Sequence, residues 1–427
     1  MKPAARIQAT IELLERIEDS RVPMDTTVGD YMRGRRYIGS KDRANIAERV
    51  YTIMRGAARL GWWLEKIKLT DTPRHRVMAA SVLIEQADEK RIADLFDGTE
   101  YAPQPIDEEE HECIKGLLNK NLIHSDMPET VRVECPPDCE KKLREAFGKN
   151  FAIEMEAMIE AAPLDLRVNT WSAKREEVQK SLAKDGVETS ETPYSPWGLR
   201  CTEKAFLSKT KALTKGRIQI QDEGSQLISY ICDVKPGMQV LDFCAGAGGK
   251  TLALAAAMER KGRLVAMDNN EKRLAKGKMR FKKSGLADII EVRALSEERH
   301  RKWLRRQKGT FDVVLTDVPC SGSGTWRRNP DMRWRTYGPP VEELVKVQAE
   351  ILEKAAPAVK PGGKLVYATC SLFKEENEQQ IEAFLAGHSD FEVTPVDEAY
   401  GSPYMRLTPH RHGTDGFFAA VLQRKEQ

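Results

Sequence analysis

Apolar positions recur at three- and four-residue steps over residues 5–17 and again over 44–60, which predicts amphipathic helices, with Asp42 as N-cap of the second. That texture persists to about Pro137. From about Cys139 to Ile231 it changes: short β-like pieces at 164–168 and 217–220 alternate with helical ones across Pro and Gly turns at 193–198. After Pro236-Gly237 a strand, turn and helix recur, with short apolar runs at 239–243, 263–267, 289–293, 311–316 and 364–368. Such continuous apolar runs are those of parallel strands buried on both faces. The expected organisation is an all-α domain over 1–138, a small α+β linker domain over 139–231 and an α/β domain over 232–427, without repeats or low-complexity tracts.

Composition narrows the class without naming it. At about 150 residues per domain, 427 residues allow roughly three domains. A hydrophobic share of 41% with 31% charged residues is that of a water-soluble protein. Nothing approaches the about 18 consecutive apolar residues of a membrane span. Eight cysteines lack framework spacing, and Arg6, Glu12 and Glu15 interrupt any leader-like run, so reduced thiols and a cytoplasmic location are expected. The net charge of +3 is uninformative by itself. Its distribution is not: basic residues mix with aromatics at 31–37, 276–283, 300–306 and 326–335. Each alone reads as a solvated face, but four together point to nucleic acid, whose phosphates meet Lys and Arg while rings stack on unpaired bases.

The first strand of the α/β region runs into Asp242-Phe-Cys-Ala-Gly-Ala-Gly-Gly-Lys-Thr251. Three close glycines let backbone approach a ligand at a helix N-terminus. A phosphate-cradling loop would need glycine where Cys244 stands, and a dinucleotide fingerprint from Gly246 would need it at Thr251. What remains is a nucleoside without pyrophosphate, and Asp268, about 20 residues after the loop, is placed for ribose hydroxyls. S-adenosylmethionine fits. Cys320 and Cys370 each follow a strand-like run, where open α/β sheets bind ligands, and the pair points to covalent chemistry on a pyrimidine ring. Cys135 and Cys139, with Cys113 and His111 upstream, lack zinc spacing, so no metal is expected.

In order and separation, residues 240–251, Asp268, 311–334 and 362–377 resemble the Sun family, the RsmB-like RNA cytosine-C5 methyltransferases. Arg167-Val-Asn169, Gln221-Asp-Glu-Gly-Ser-Gln226 and Asp415-Gly-Phe-Phe418 extend the likeness, and the N-terminal helices are similar to a NusB-like RNA-binding module. The resemblance implies a Rossmann-like methyltransferase domain behind a small α+β domain and an all-α NusB-like domain. It implies Cys370 as nucleophile toward cytosine C6, Cys320 as the thiol that promotes release, Asp317 as acid and Lys250 beside the base. The cofactor would lie against Cys244, Ala245, Gly246, Ala247, Gly248, Gly249, Lys250, Asp268 and Asp317. Arg327, Arg328 and Asn329 are the expected RNA contacts, and the expected partner is structured RNA, small-subunit ribosomal RNA first, bound by a monomer. A tRNA substrate, a DNA substrate and a non-catalytic assembly factor are the alternatives. The chain departs from the family in the loop Ala245-Gly-Ala-Gly-Gly249, where a proline usually precedes the glycines, at Val318, where alanine is usual, and after the third strand, where an acidic residue is expected and only Glu297 or Glu298 stand nearby.

Overall fold

The computed structural model describes residues 1–426, which fold as two compact units: residues 1–161 with 326–338, and residues 162–325 with the chain from 339 onward. No helix among the described residues is long and apolar enough to cross a membrane.

The first unit is helical. Pro3–Asp19 buries the stripe Ile7, Ile11, Leu14 and Ile17, as its spacing predicts. The second predicted run differs from expectation. It is two helices, Ser40–Arg55 and Ala57–Lys66, separated at Gly56, a poor helix former. Asp42 does not cap; it lies inside the first turn, where it takes a 3.0 Å bond from Arg6. The cap of Ala57–Lys66 comes from far along the chain. Buried Glu134 accepts from the backbone of Ala58 (2.8 Å) and Arg59 (3.1 Å) and from Arg59 Nε (2.9 Å), which satisfies N–H groups that a helix start leaves unpaired. Helical structure also runs past the expected boundary at 138, through Pro137–Phe147 and Phe151–Ala157.

Residues 326–338 are the least expected part of this unit. Asp331, 1% exposed, accepts from Met24 N (2.8 Å) at the start of helix Met24–Gly34. Arg333 donates to the carbonyls of Glu134 (3.2 Å) and Met158 (2.8 Å). Arg335 binds the carbonyls of Ile17 and Ser20 at the end of Pro3–Asp19, where a cation suits the negative end of the helix. Trp334 packs on the helical core. The segment therefore acts as a strap.

The second unit carries two sheets. Strands β1 (Asp165–Val168), β2 (Thr189–Glu191), β3 (Gly198–Cys201) and β4 (Ile218–Ile220) form an antiparallel sheet of order β2-β3-β1-β4. The larger sheet has β5 (Gln239–Asp242), β6 (Arg263–Asp268), β7 (Ile290–Ala294), β8 (Phe311–Asp317), β9 (Val359–Thr369), β10 (Phe391–Thr394), β11 (Met405–Leu407) and β12 (Phe417–Arg424). Its order is β10-β12-β9-β8-β5-β6-β7, with β11 also on β12. The five predicted strands are its parallel centre, and β10, β11 and β12 add antiparallel. After β5 the chain winds outward through β6 and β7, then returns to the other side of β5 as β8. That reversal opens a crevice at the carboxyl ends of β5 and β8, where such sheets bind ligands.

Candidate active site

At the end of β5 the backbone turns through Gly246 (φ 55°) and Gly248 (φ 78°) into helix Gly249–Ala257. A Cβ at Gly248 would sit 2.2 Å from the Phe281 ring, and one at Gly246 2.6 Å from the Arg273 guanidinium. The dihedral angle favours glycine at both, and at Gly248 the rigid Phe281 ring leaves no space either. Gly248→Ala is expected to weaken S-adenosylmethionine binding roughly 10- to 100-fold, the equivalent of about 1–3 kcal/mol for a forced backbone; titration calorimetry reads it directly.

Asp268, at the end of β6, braces this loop. One carboxylate oxygen accepts from Gly246 N (2.8 Å) and the other from Asn270 N (2.7 Å). Ala245 N donates to Met267 O (2.9 Å), and Ala247 O accepts from Arg280 (2.9 Å). Cys244 is half-buried, and burial pushes its thiol up. Beneath the loop, fully buried Asp242 accepts from Thr251 Oγ1 (2.6 Å), and burial pushes its carboxyl up to about 7. Because this folded-state value lies above the ordinary 3.8, the native chain holds a proton that the unfolded chain has released. Asp242 therefore subtracts stability as pH rises from about 4 to 7, by about 4 kcal/mol in all. Denaturant midpoints of the cofactor-free protein at pH 5 and pH 8 should show this loss, and Asp242→Asn should lack it.

Lys250 stands in the first turn of Gly249–Ala257, with Nζ 2.7 Å from Asp317 Oδ2 at the end of β8. Burial works against its charge, but the Asp317 carboxylate overrides this and holds the ammonium above its ordinary range. The two thiols meet because β8 and β9 are parallel neighbours with Asp317 opposite Ala368. Cys320 comes three residues after one and Cys370 two after the other, leaving Sγ–Sγ at 3.4 Å, a thiol–thiol hydrogen bond without a disulfide. The structure thus brings together Lys250, Asp317, Cys320 and Cys370.

A polar hub that sequence reasoning missed ties the two cysteine loops. Glu376, fully buried, accepts from Ser321 N (2.8 Å), Ser321 Oγ (2.6 Å), Gln348 Nε2 (2.9 Å) and Ser371 Oγ. Gly324 N donates to Cys370 O (2.9 Å). The available signal was the serine after each cysteine, Ser321 and Ser371, which share this partner.

Other expected residues fall elsewhere. Arg327 is only 6% exposed and belongs to the helical unit, its carbonyl accepting from Arg55 (3.1 Å). Trp326 is also buried, and the strap draws that stretch inward. Arg328 and Asn329 are half-buried in the same segment. Glu297 pairs with Arg299 and Glu298 with Lys302 (2.8 Å), so each is engaged in an ion pair of its own.

A glycine loop without room for side chains, an acidic residue closing the next strand and a crevice at the β5/β8 reversal define an S-adenosylmethionine-dependent methyltransferase. A family model described as "16S rRNA methyltransferase RsmB/F" matches residues 229–423, and the ferredoxin-like domain of RsmF/B-like methyltransferases matches 139–206. Ribosomal RNA small subunit methyltransferase B of Pectobacterium carotovorum is 30% identical over 407 residues, 91% of this chain and 92% of that one. The probable counterpart in Synechocystis is 35% identical over 270 residues, 61% of this chain and 60% of its own. Among solved structures, PH0851 gives a TM-score of 0.78 at 29% identity over 99% of both chains. A methyltransferase homologue from Pyrococcus horikoshii gives 0.59 at 30% identity, covering 69% of this chain and 97% of that one. The chain belongs to the RsmB/F family of methyltransferases, as its Sun-type motifs imply, and its cofactor is S-adenosylmethionine.

Proposed function

We propose that the protein methylates carbon 5 of a cytidine in small-subunit ribosomal RNA, in the cytoplasm and as a monomer. The observation that carries this reading is the pair of thiols 3.4 Å apart beside the Lys250–Asp317 ion pair. Cytosine C5 is a poor nucleophile. Addition of the Cys370 thiolate to C6 forms an S–C bond and pushes the ring electrons toward N3 and C5, so that C5 can attack an electrophilic methyl. S-adenosylmethionine supplies that methyl, held by residues 244–250, Asp268 and Asp317. Asp317, with Lys250 beside it, acts as the acid toward N3 as the adduct forms. Loss of the C5 proton then expels Cys370, and Cys320 promotes this release.

The relatives bear the name of ribosomal RNA small subunit methyltransferases, which favours that RNA over tRNA. A base inside a helix must be turned out to reach the crevice. Phosphates would be met by helix Glu271–Lys283, whose Lys276, Lys278, Lys282 and Lys283 are exposed and form no ion pair among the described residues. Lys276→Glu with Lys278→Glu should weaken RNA binding and make its dependence on salt shallower by about two phosphate contacts, as measured by filter binding at several salt concentrations. Arg327, Arg328 and Asn329 remain candidates for RNA contacts, Arg327 as the most buried of the three.

Nucleoside mass spectrometry of unmodified small-subunit RNA incubated with protein and S-adenosylmethionine tests the reading. New 5-methylcytidine is the expected product. Methylation of tRNA instead would move the substrate, and methylation of neither would favour a non-catalytic assembly factor.

A further inference from the structure

Arg167 and Gln221 belong to the small antiparallel sheet, and the chemistry proposed above gives neither a task. Arg167, on β1, stands opposite Gln219 of β4, and Gln221 comes two residues after Gln219, so all three side chains share one face of that sheet. That face meets the glycine loop. Arg167 Nη1 donates to Gly249 O (2.6 Å) and to Gln221 Oε1. Arg280, on helix Glu271–Lys283, repeats the arrangement: it donates to Ala247 O (2.9 Å) and to Gln219 Oε1 (2.8 Å). Each arginine thus holds one loop carbonyl and one glutamine. The glutamines are anchored in turn, Gln221 Nε2 on Ser225 Oγ (3.0 Å) and Gln219 Nε2 on Ser284 Oγ (3.4 Å).

Arg167 is only 2% exposed, and among the described residues no carboxylate is bonded to it. Asp165, two residues back on β1, is taken by Arg200 (2.7 Å). The Arg167 Nε has no acceptor. Burial first, and then the charge of Arg280, pull the guanidinium down to about 9, still protonated at neutral pH. A buried cation offset only by dipoles is costly, and an apolar side chain of similar volume often packs such a place as well or better. Stability therefore does not account for Arg167. What an apolar residue could not do is hold the Gly249 carbonyl. In a trans peptide the C=O and the following N–H point opposite ways. Fixing Gly249 O therefore turns the N–H of Lys250 toward the start of helix Gly249–Ala257, where first-turn N–H groups lack intrahelical partners and are offered to a ligand.

We propose that Arg167, with Arg280 beside it, is a positioning residue for S-adenosylmethionine: the two guanidinium groups hold the loop carbonyls in the orientation that binds the cofactor. The loop contains two glycines at positive φ, residues that adopt other conformations at little cost. Clamping it in advance removes an ordering cost that binding would otherwise meet. The small sheet then works as a brace for the cofactor site and not only as a linker. The inference concerns cofactor binding alone, so it stands whichever RNA is methylated and whichever thiol attacks.

Calorimetric titration of the full-length protein with S-adenosylmethionine, without RNA, tests this. Arg167→Met is expected to raise Kd roughly tenfold or more, as befits the loss of a charged hydrogen bond, while the thermal midpoint of the cofactor-free protein stays at or above the native value. A residue that served folding alone would do the reverse. Asn169→Ala supplies the contrast. Asn169 Nδ2 donates to Gly216 O (3.1 Å) and Ser284 O (3.0 Å) along the same seam and to no atom of the loop, so its loss should lower the midpoint and leave Kd native. A native Kd in folded Arg167→Met would overturn the proposal. So would an Asn169→Ala protein that binds the cofactor as weakly as Arg167→Met, because the effect would then belong to the packing of the small sheet. Should Arg167→Met not fold, Arg280→Met decides, since Arg280 is only half-buried: Kd should rise severalfold, and an unmoved Kd would overturn the role of the clamp.

Discussion

Cys320→Ser is expected to accumulate a covalent complex between protein and RNA, visible as a slowly migrating band under denaturing conditions, while Cys370→Ala shows no such band. The asymmetry follows from which bond each thiol handles. In the proposed mechanism Cys370 makes the S–C6 bond, so without it C5 would never become nucleophilic, and 5-methylcytidine formation should fall roughly a thousandfold or more. Cys320 is proposed to act after methyl transfer. Without its thiol the adduct still forms and accepts the methyl, but release slows and the intermediate persists. The 3.4 Å separation makes this division possible, since either thiol can reach groups on the same ring. The double variant should resemble Cys370→Ala, because nothing can be trapped that was never formed. A band in Cys370→Ala and not in Cys320→Ser would exchange the two roles.

What the sequence made legible follows from how local each signal is. The parallel centre of the large sheet was readable because β5, β6 and β8 are buried on both faces and write themselves as continuous apolar runs. The glycine loop was readable because backbone at positive φ with no space for Cβ restricts the residue type itself. Cys320 and Cys370 were readable from the segments around them, although nothing local to either predicts their distance. That distance depends on the pairing of Asp317 with Ala368. β10 and β11 were missed, being only four and three residues long, too short for a period to register. Glu376 was missed because an acidic run at 375–378 looks like a solvated helix start, and only the fold shows one of its carboxylates fully buried.

The same limit explains the strap, and it sets the second large expected effect. Arg333 was read as part of a basic and aromatic run that meets RNA, a role in which its loss would weaken binding and leave stability alone. In the structure it is 5% exposed. Its guanidinium spans the carbonyls of Glu134 and Met158 and lies 5.3 Å from the centre of the Trp326 ring. Burial pulls it down to about 10, so it stays charged at neutral pH. Arg333→Ala would strip two carbonyls of their donors and leave a void beside Trp326. The expected cost is about 2–4 kcal/mol, seen as a lower thermal midpoint of the full-length protein. Because Glu134 is also the cap of helix Ala57–Lys66, the loss should spread to that helix and show as faster amide exchange at Ala58 and Arg59. The salt dependence of RNA binding should not change, in contrast to the lysine variants of helix Glu271–Lys283. A shallower salt dependence with an unmoved midpoint would return Arg333 to the RNA. In physical terms, a cluster of arginines in a sequence specifies donors in search of acceptors. Phosphates and the carbonyl ends of helices satisfy them equally well, and the choice between the two is made only by the fold.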